Sequence, residues 1–161
     1  MKFRHELRYD APPAQVFEML ADPAFRQRVA EAMDVISADV DLQRDGDGFT
    51  LTVDQLQRTD DLPSFARTFA GDSPQAIQRE EWATATSGDL RLEAPGKPTS
   101  IAGTIRLEPD GAGTKEVVEL DIKVKVPLIG GKLEKLMAEK VRAGMDQEHA
   151  VGIDYLKENG A

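Results

Sequence analysis

Val118, Leu120, Ile122, Val124 and Val126 alternate strictly with other residues near the end of the chain. Pro127 and the pair Gly130–Gly131 break that pattern, and an amphipathic segment runs from about Lys132 to Leu156. Period two marks a strand with one buried face, and a 3.6-residue period marks a helix. The chain therefore closes with a long strand feeding a long helix. About 25 helical residues reach roughly 37 Å. A sheet must cover its apolar face with another layer, and no other segment here is long enough to do so.

The upstream chain supplies that sheet. Phe3, His5, Leu7 and Tyr9 alternate with charged residues, giving a half-buried first strand. Asp10-Ala-Pro-Pro stops it, and Val16, Phe17 and Leu20 form the apolar side of a short helix. Asp22-Pro23 starts a second helix, with Asp as N-cap and Pro in the first turn; its apolar side is Phe25, Val29 and Met33. Ile36 to Leu42 and Phe49 to Val53 alternate on either side of Asp45-Gly46-Asp47-Gly48, a hairpin signal. The spacing of acids in that turn does not match a calcium-binding loop. Phe65 and Phe69 share a face of a short mid-chain helix, read either as a cover over one end of the sheet or as an ordinary connection.

Gln75 to Thr86 reads as one strand with a turn at Ser87-Gly88-Asp89. Its two faces, Ile77/Arg79/Glu81 and Gln78/Glu80/Trp82, do not reveal which is inward. Leu90 to Ala94 and Ile101 to Leu107 are further strands. The total is seven strands, nearly all hairpin-linked, so the sheet is expected to be antiparallel and the fold α+β. One domain spanning residues 1–161 is the expectation at this length.

At about 100° per residue, Leu133, Met137, Val141, Gly144, Glu148 and Gly152 fall on one arc of the last helix. The two glycines lower helix propensity, so they either admit a close neighbour or leave space. Glu148 needs a partner, water in a cavity, or a place beyond the sheet edge, because burying an unpaired carboxylate is costly. The expectation is that the N-terminal half of the helix plugs the sheet and the later turns border a cavity.

Composition narrows the function. A net charge of −9 and a pI near 4.7 argue against nucleic-acid binding. The absence of cysteine removes disulfides and thiol nucleophiles. No apolar run reaches the ~20 residues of a membrane span, and Met1 to Arg8 lacks the apolar core of a signal peptide, so a cytoplasmic location is expected. Gly130-Gly131-Lys132 is followed by Leu133 where a P-loop needs Ser or Thr. His5 and His149 are the only histidines, too few for a metal cluster. No cofactor is expected.

The junction Val124-Lys-Val-Pro-Leu-Ile-Gly-Gly-Lys-Leu-Glu134, and the opening strand followed by Asp10-Ala-Pro-Pro-Ala-Gln-Val-Phe-Glu-Met-Leu-Ala-Asp22-Pro23, resemble the START-like superfamily, also called the polyketide cyclase/dehydrase and lipid-transport (SRPBCC) superfamily. Glu80-Glu81-Trp82 and Gly103-Thr104 resemble an uncharacterised actinobacterial branch of it, known as a domain of unknown function. The resemblance implies a helix-grip fold: a curved seven-stranded sheet, two short N-terminal helices, a short mid-chain helix, and a long C-terminal helix over a cavity.

Under that resemblance the cavity is expected to be lined from the sheet by Phe49, Leu51, Trp82, Ile105, Leu120 and Ile122. From the helix the expected lining is Met137, Val141, Met145 and Glu148. Trp82 reads either as cavity wall or as core filler. His5, Tyr9 and Glu148 are the acid–base candidates, with a core role for His5 as its alternative.

Three functions remain open. The first is binding of a small apolar molecule, lipid or polyketide-like, without catalysis, favoured by the adaptable Met137 and Met145. The second is a cyclase- or dehydratase-like enzyme, which needs two acid–base groups around one void. The third is a partner-binding module resembling the superfamily's chaperone activators, which needs a large exposed apolar patch. Neither nucleic acid nor stable membrane insertion is expected.

Overall fold

The computed structural model describes residues 1–160, and among them seven strands form one antiparallel sheet. These are β1 (Lys2–Tyr9), β2 (Val35–Asp45), β3 (Gly48–Gln57), β4 (Gln75–Trp82), β5 (Ser87–Glu93), β6 (Thr99–Asp110) and β7 (Gly113–Val124). Their order is β1-β7-β6-β5-β4-β3-β2. The chain leaves edge strand β1, crosses through α1 (Pro13–Leu20) and α2 (Pro23–Ala32), and re-enters at the opposite edge. Helix α3 (Ser64–Ala70) links β3 to β4, and α4 (Gly130–Glu158) packs against β7, β1, α1 and α2. The result is a curved sheet gripping its C-terminal helix.

Local chemistry sets the boundaries. Asp22 caps α2, its carboxylate accepting from the Ala24 amide at 2.9 Å, and Pro23 occupies the first turn. The β2–β3 hairpin turns through Gly46 at φ 56°, a left-handed value that glycine adopts without strain. At the β7–α4 junction the Ile129 amide donates to the Pro127 carbonyl at 2.8 Å, and Leu128 between them has φ 70°. This is a γ-turn of the rare, strained kind. The Glu134 carboxylate accepts from the Val124 amide at 3.0 Å and ties the first turns of α4 to the end of β7.

Two expectations change. The strand expected over Gln75 to Thr86 ends at Trp82, and β5 already begins at Ser87. The turn lies at 83–86 because the Thr84 hydroxyl accepts from the Thr86 and Ser87 amides, both at 3.3 Å. Such a side-chain turn offers the backbone an alternative to the sheet ladder. The face left open is also settled: Glu80 and Trp82 are buried, so Gln78, Glu80 and Trp82 point inward.

The main core runs from Phe3 and Phe17 through Phe25, Phe49, Leu51 and Trp82 to Leu120 and Ile122. Each such side chain, fully buried, stabilises by roughly 1.5–3 kcal/mol. A smaller cluster, built on Ala66, Val124 and Leu133, packs α3 against the first turns of α4.

Candidate functional site

Between the concave face of the sheet and the first two-thirds of α4 lies an open cavity of about 640 Å³. Strands β3 to β7 form its floor, and α2, α3 and α4 enclose it. Much of the wall is aliphatic, including Val29, Val53, Leu92, Ile101, Ile105 and Val118. Arg58, Asp61 and Lys140 make one part of the wall charged, where Lys140 bonds Asp61 and so links α4 to the β3–α3 loop.

Of the expected lining residues, Ile105, Met137, Val141, Met145 and Glu148 lie on this wall. Phe49, Leu51, Trp82, Leu120 and Ile122 are closed into the core instead. Phe49 and Trp82 stack at 5.6 Å, and Phe17 of α1 packs against both rings. Those aromatics fill their end of the groove, so Trp82 takes the core-filling place.

The expected order along α4 is also corrected. Positions from Leu133 to Glu148 border the cavity, while the last turns are packed. Gly152 explains the packing: a Cβ there would sit 2.9 Å from Tyr9 Cε1 and 3.1 Å from Met19 Cε. Gly144 has nothing within 4 Å of its Cβ position and lies on the cavity wall. One glycine admits a neighbour and the other leaves space.

The three acid–base candidates part company. His5 sits between β1 and α4, off the cavity wall. Arg142 donates to its Nδ1 at 2.8 Å, and Asp146 Oδ1 lies 2.7 Å from its Nε2. Arginine has only donors, so Nδ1 is the accepting nitrogen and Nε2 carries the proton toward Asp146. Tyr9 is buried against His149, at 4.8 Å between rings, with its hydroxyl unpartnered. Only Glu148 reaches the cavity.

Glu148, itself part-buried, joins three buried polar residues in a cluster of four. Arg26 of α2, 3% exposed, donates through Nε to the Leu20 carbonyl at 2.7 Å. Its Nη1 donates to Glu148 at 2.8 Å and its Nη2 to Glu80 at 3.1 Å. Glu80 also accepts from Trp82 Nε1 at 2.9 Å and from Gln78 at 2.6 Å. Glu116 of β7, 2% exposed, completes the cluster, and its Oε1 has no partner. Arg26, Glu80, Glu116 and Glu148 all lie on the cavity wall.

Electrostatics follow from burial and from the ratio of charges. Burial raises the Glu116 carboxyl to about 8, with the Glu148 and Glu80 charges adding to it and Arg26 opposing. Burial also raises Glu148, against the pull of Arg26. Tyr9 is raised well above a free phenol, by burial first and then by Glu116 and Glu148. Burial works against the Arg26 charge, but Glu80 and Glu148 outweigh it and hold the guanidinium above its usual value.

Three of these residues lie outside the sequence-based site. Glu116 precedes Val118 by two and continues the inward set of β7, so extending the alternation through a charged residue finds it. Glu80 shares a face with Trp82 and awaited only the choice of face. Arg26 follows Phe25 on a ten-residue helix, and nothing in its local pattern marks it.

Comparison with known proteins agrees with this architecture. The Zhui aromatase/cyclase from Streptomyces sp. R1128 superimposes with a TM-score of 0.66 at 15% identity, covering 100% of this chain and 96% of that one. A START superfamily protein from Mycobacterium smegmatis gives a TM-score of 0.64 at 16% identity, covering 96% and 98%. At such identities the likeness is one of fold. Uncharacterized proteins from Mycobacterium tuberculosis and Mycobacterium bovis are 28% identical over 104 residues, which is 60% of this chain and 60% of each relative's length. Among the described residues no helix is long and apolar enough to cross a membrane. The profile of the family described as "Protein of unknown function (DUF2505)" matches residues 4–156, so this chain belongs to that family.

Proposed function

We propose that the protein binds a small apolar molecule in the cavity between the sheet and α4, without catalysing a reaction on it. The observation that carries this reading is the cavity itself. About 640 Å³ with a largely aliphatic wall is within the range of small-molecule sites, which are concave and apolar with a few placed polar groups. Met137 and Met145 on the wall suit ligands of varied shape.

The non-catalytic part rests on how the acid–base candidates are arranged. His5 is engaged by Asp146 and Arg142, and Tyr9 is packed against Gly152. Glu148, the candidate on the wall, is held by Arg26. A general acid–base pair needs two groups within hydrogen-bond reach of the reacting atoms, and these three do not converge on the void. His5, Tyr9 and Glu148 therefore give no support for carrying over the cyclase named for one structural neighbour. The outer face of the sheet carries ion pairs such as Arg106–Glu119 at 3.0 Å, which favours a wet surface over an apolar docking face.

Native mass spectrometry of the purified protein, alone and after exposure to a panel of fatty acids, alcohols, amines and aromatic polyketides, tests the reading. The expected result is a mass increment matching one apolar molecule per chain. Apo spectra throughout, with no shift in thermal midpoint, would overturn it.

A further inference from the structure

The cavity wall carries three carboxyl groups and one guanidinium in a single buried cluster. Arg26 spends its donors on Leu20, Glu148 and Glu80. Glu80 is satisfied by Arg26, Trp82 and Gln78. Glu116 is left over: it is 2% exposed, its Oε1 has no partner, and it lies on the cavity wall beside the others. A buried unpaired carboxyl is costly, and no packing requirement explains it, since Leu or Gln would fill the same space on β7.

The ligand's polar end can be chosen by charge. With Glu116 neutral, a carboxylate would bring a third negative group to one guanidinium. A hydroxyl or carbonyl could accept from a neutral Glu116, but it would leave the excess of carboxylates unbalanced. A primary ammonium supplies the missing cation and can donate up to three hydrogen bonds, one of them to the unpartnered Glu116 Oε1.

We propose that the cavity takes an apolar amine, with its ammonium seated between Glu116 and Glu148 and its hydrocarbon along Met137, Val141 and Ile105. The proposal rests on the apolar-ligand reading above and narrows it to a substrate class. It excludes fatty-acid anions oriented with the carboxylate inward.

Binding then moves a proton. Four titratable or charged groups surround Glu116: Glu148 from α4, Glu80 from β4, Arg26 from α2 and Tyr9 from β1. Burial, with the Glu148 and Glu80 charges adding to it and Arg26 opposing, holds Glu116 protonated at neutral pH. The amine arrives as the ammonium, the Glu116 O–H bond breaks, and its proton leaves to the buffer. The carboxylate formed pairs with the cation.

Calorimetric titration with decylamine, decanol and decanoate at pH 7, in two buffers of different ionisation enthalpy, tests this on the intact protein. The expected order is amine tightest by at least roughly tenfold, with carboxylate weakest. The amine should release about 0.5–1 proton at pH 7 and close to none at pH 9. Glu116→Gln keeps the shape of the neutral acid and so retains the fold. It should bring amine and alcohol within about threefold of each other and abolish the proton release. Because that variant leaves surface charge alone, non-specific attraction of amines to an acidic protein would survive it. Equal or tighter binding of decanol or decanoate, or an unchanged amine preference in Glu116→Gln, overturns the amine assignment while leaving the apolar cavity reading in place. Failure of all three probes to bind overturns both.

Discussion

Arg26 Nη1 donates to Glu148 Oε1 at 2.8 Å, joining α2 to α4 across 122 residues of sequence. The same guanidinium holds Glu80 of β4 at 3.1 Å. One cation thus fastens the sheet, the crossover helix and the C-terminal helix beside the cavity. It lies 5.8 Å from the ring centroids of both Phe25 and Phe49, where the aromatic faces add to its stabilisation.

Removing that cation should be among the most damaging single changes in the molecule. Arg26→Met leaves the buried Glu80 and the part-buried Glu148 without their charge partner, a situation that costs about 3–5 kcal/mol for a fully buried pair. Urea denaturation should show that loss. Adding Glu148→Gln to Arg26→Met should recover part of it, since one of the stranded charges is then gone. An additive double variant would contradict the pairing.

Stability should fall as pH rises from about 4.5 to about 8 because of Glu116. Its carboxyl sits at about 8 in the folded protein against 4.5 as the ordinary value. Between those values the unfolded chain has released the proton and the folded chain still holds it. The folded state binds more protons, so unfolding becomes easier with pH, by at most about 1.4 kcal/mol per pH unit. Below the window both states are protonated and the contribution is fully present. Glu148, also raised, acts in the same direction. Glu116→Gln should flatten this slope in denaturation curves collected from pH 4 to 9, and an unchanged slope would assign it to other groups.

The two glycines on the inner arc of α4 should respond in opposite ways to the same substitution. Gly144→Ala meets open space and should gain up to about 1 kcal/mol of helix propensity. Gly152→Ala places its Cβ 2.9 Å from the Tyr9 ring, and overpacking of that kind costs about 1–3 kcal/mol. Chemical denaturation of the two variants side by side checks the sign of each.

Filling the void should separate binding from folding. Val141 is half-buried and lies on the cavity wall, so Val141→Trp has room to occupy. Circular dichroism should be unchanged while uptake of any apolar ligand falls by at least roughly tenfold. Retained uptake would place the ligand elsewhere.

Most of the architecture is legible in the sequence because periodicity and turn chemistry are local. The alternation from Val118 to Val124 places the inner face of β7, Asp22-Pro23 starts α2, and the Asp/Gly turns join consecutive strands. Even the special character of Gly144, Glu148 and Gly152 is visible by angle on α4. The site is less legible. Period two identifies Glu80 as a neighbour of Trp82 without saying that both point inward, and Arg26 looks like one more charge on a short polar helix.

What the sequence determines by itself is the list of strands and helices, their turns, and the apolar arc that requires a helix to lie on a sheet. What only the tertiary structure decides is which charges share the interior. Arg26, Glu80, Glu116 and Glu148 come from four elements far apart in the chain. Their meeting depends on the crossover that carries α2 from one sheet edge to the other, and on Gly152 letting α4 settle against Tyr9. Hydrophobic periodicity records the preference of each residue for water. A buried charge is tolerable only through its partner, and the partner is a property of the packed chain.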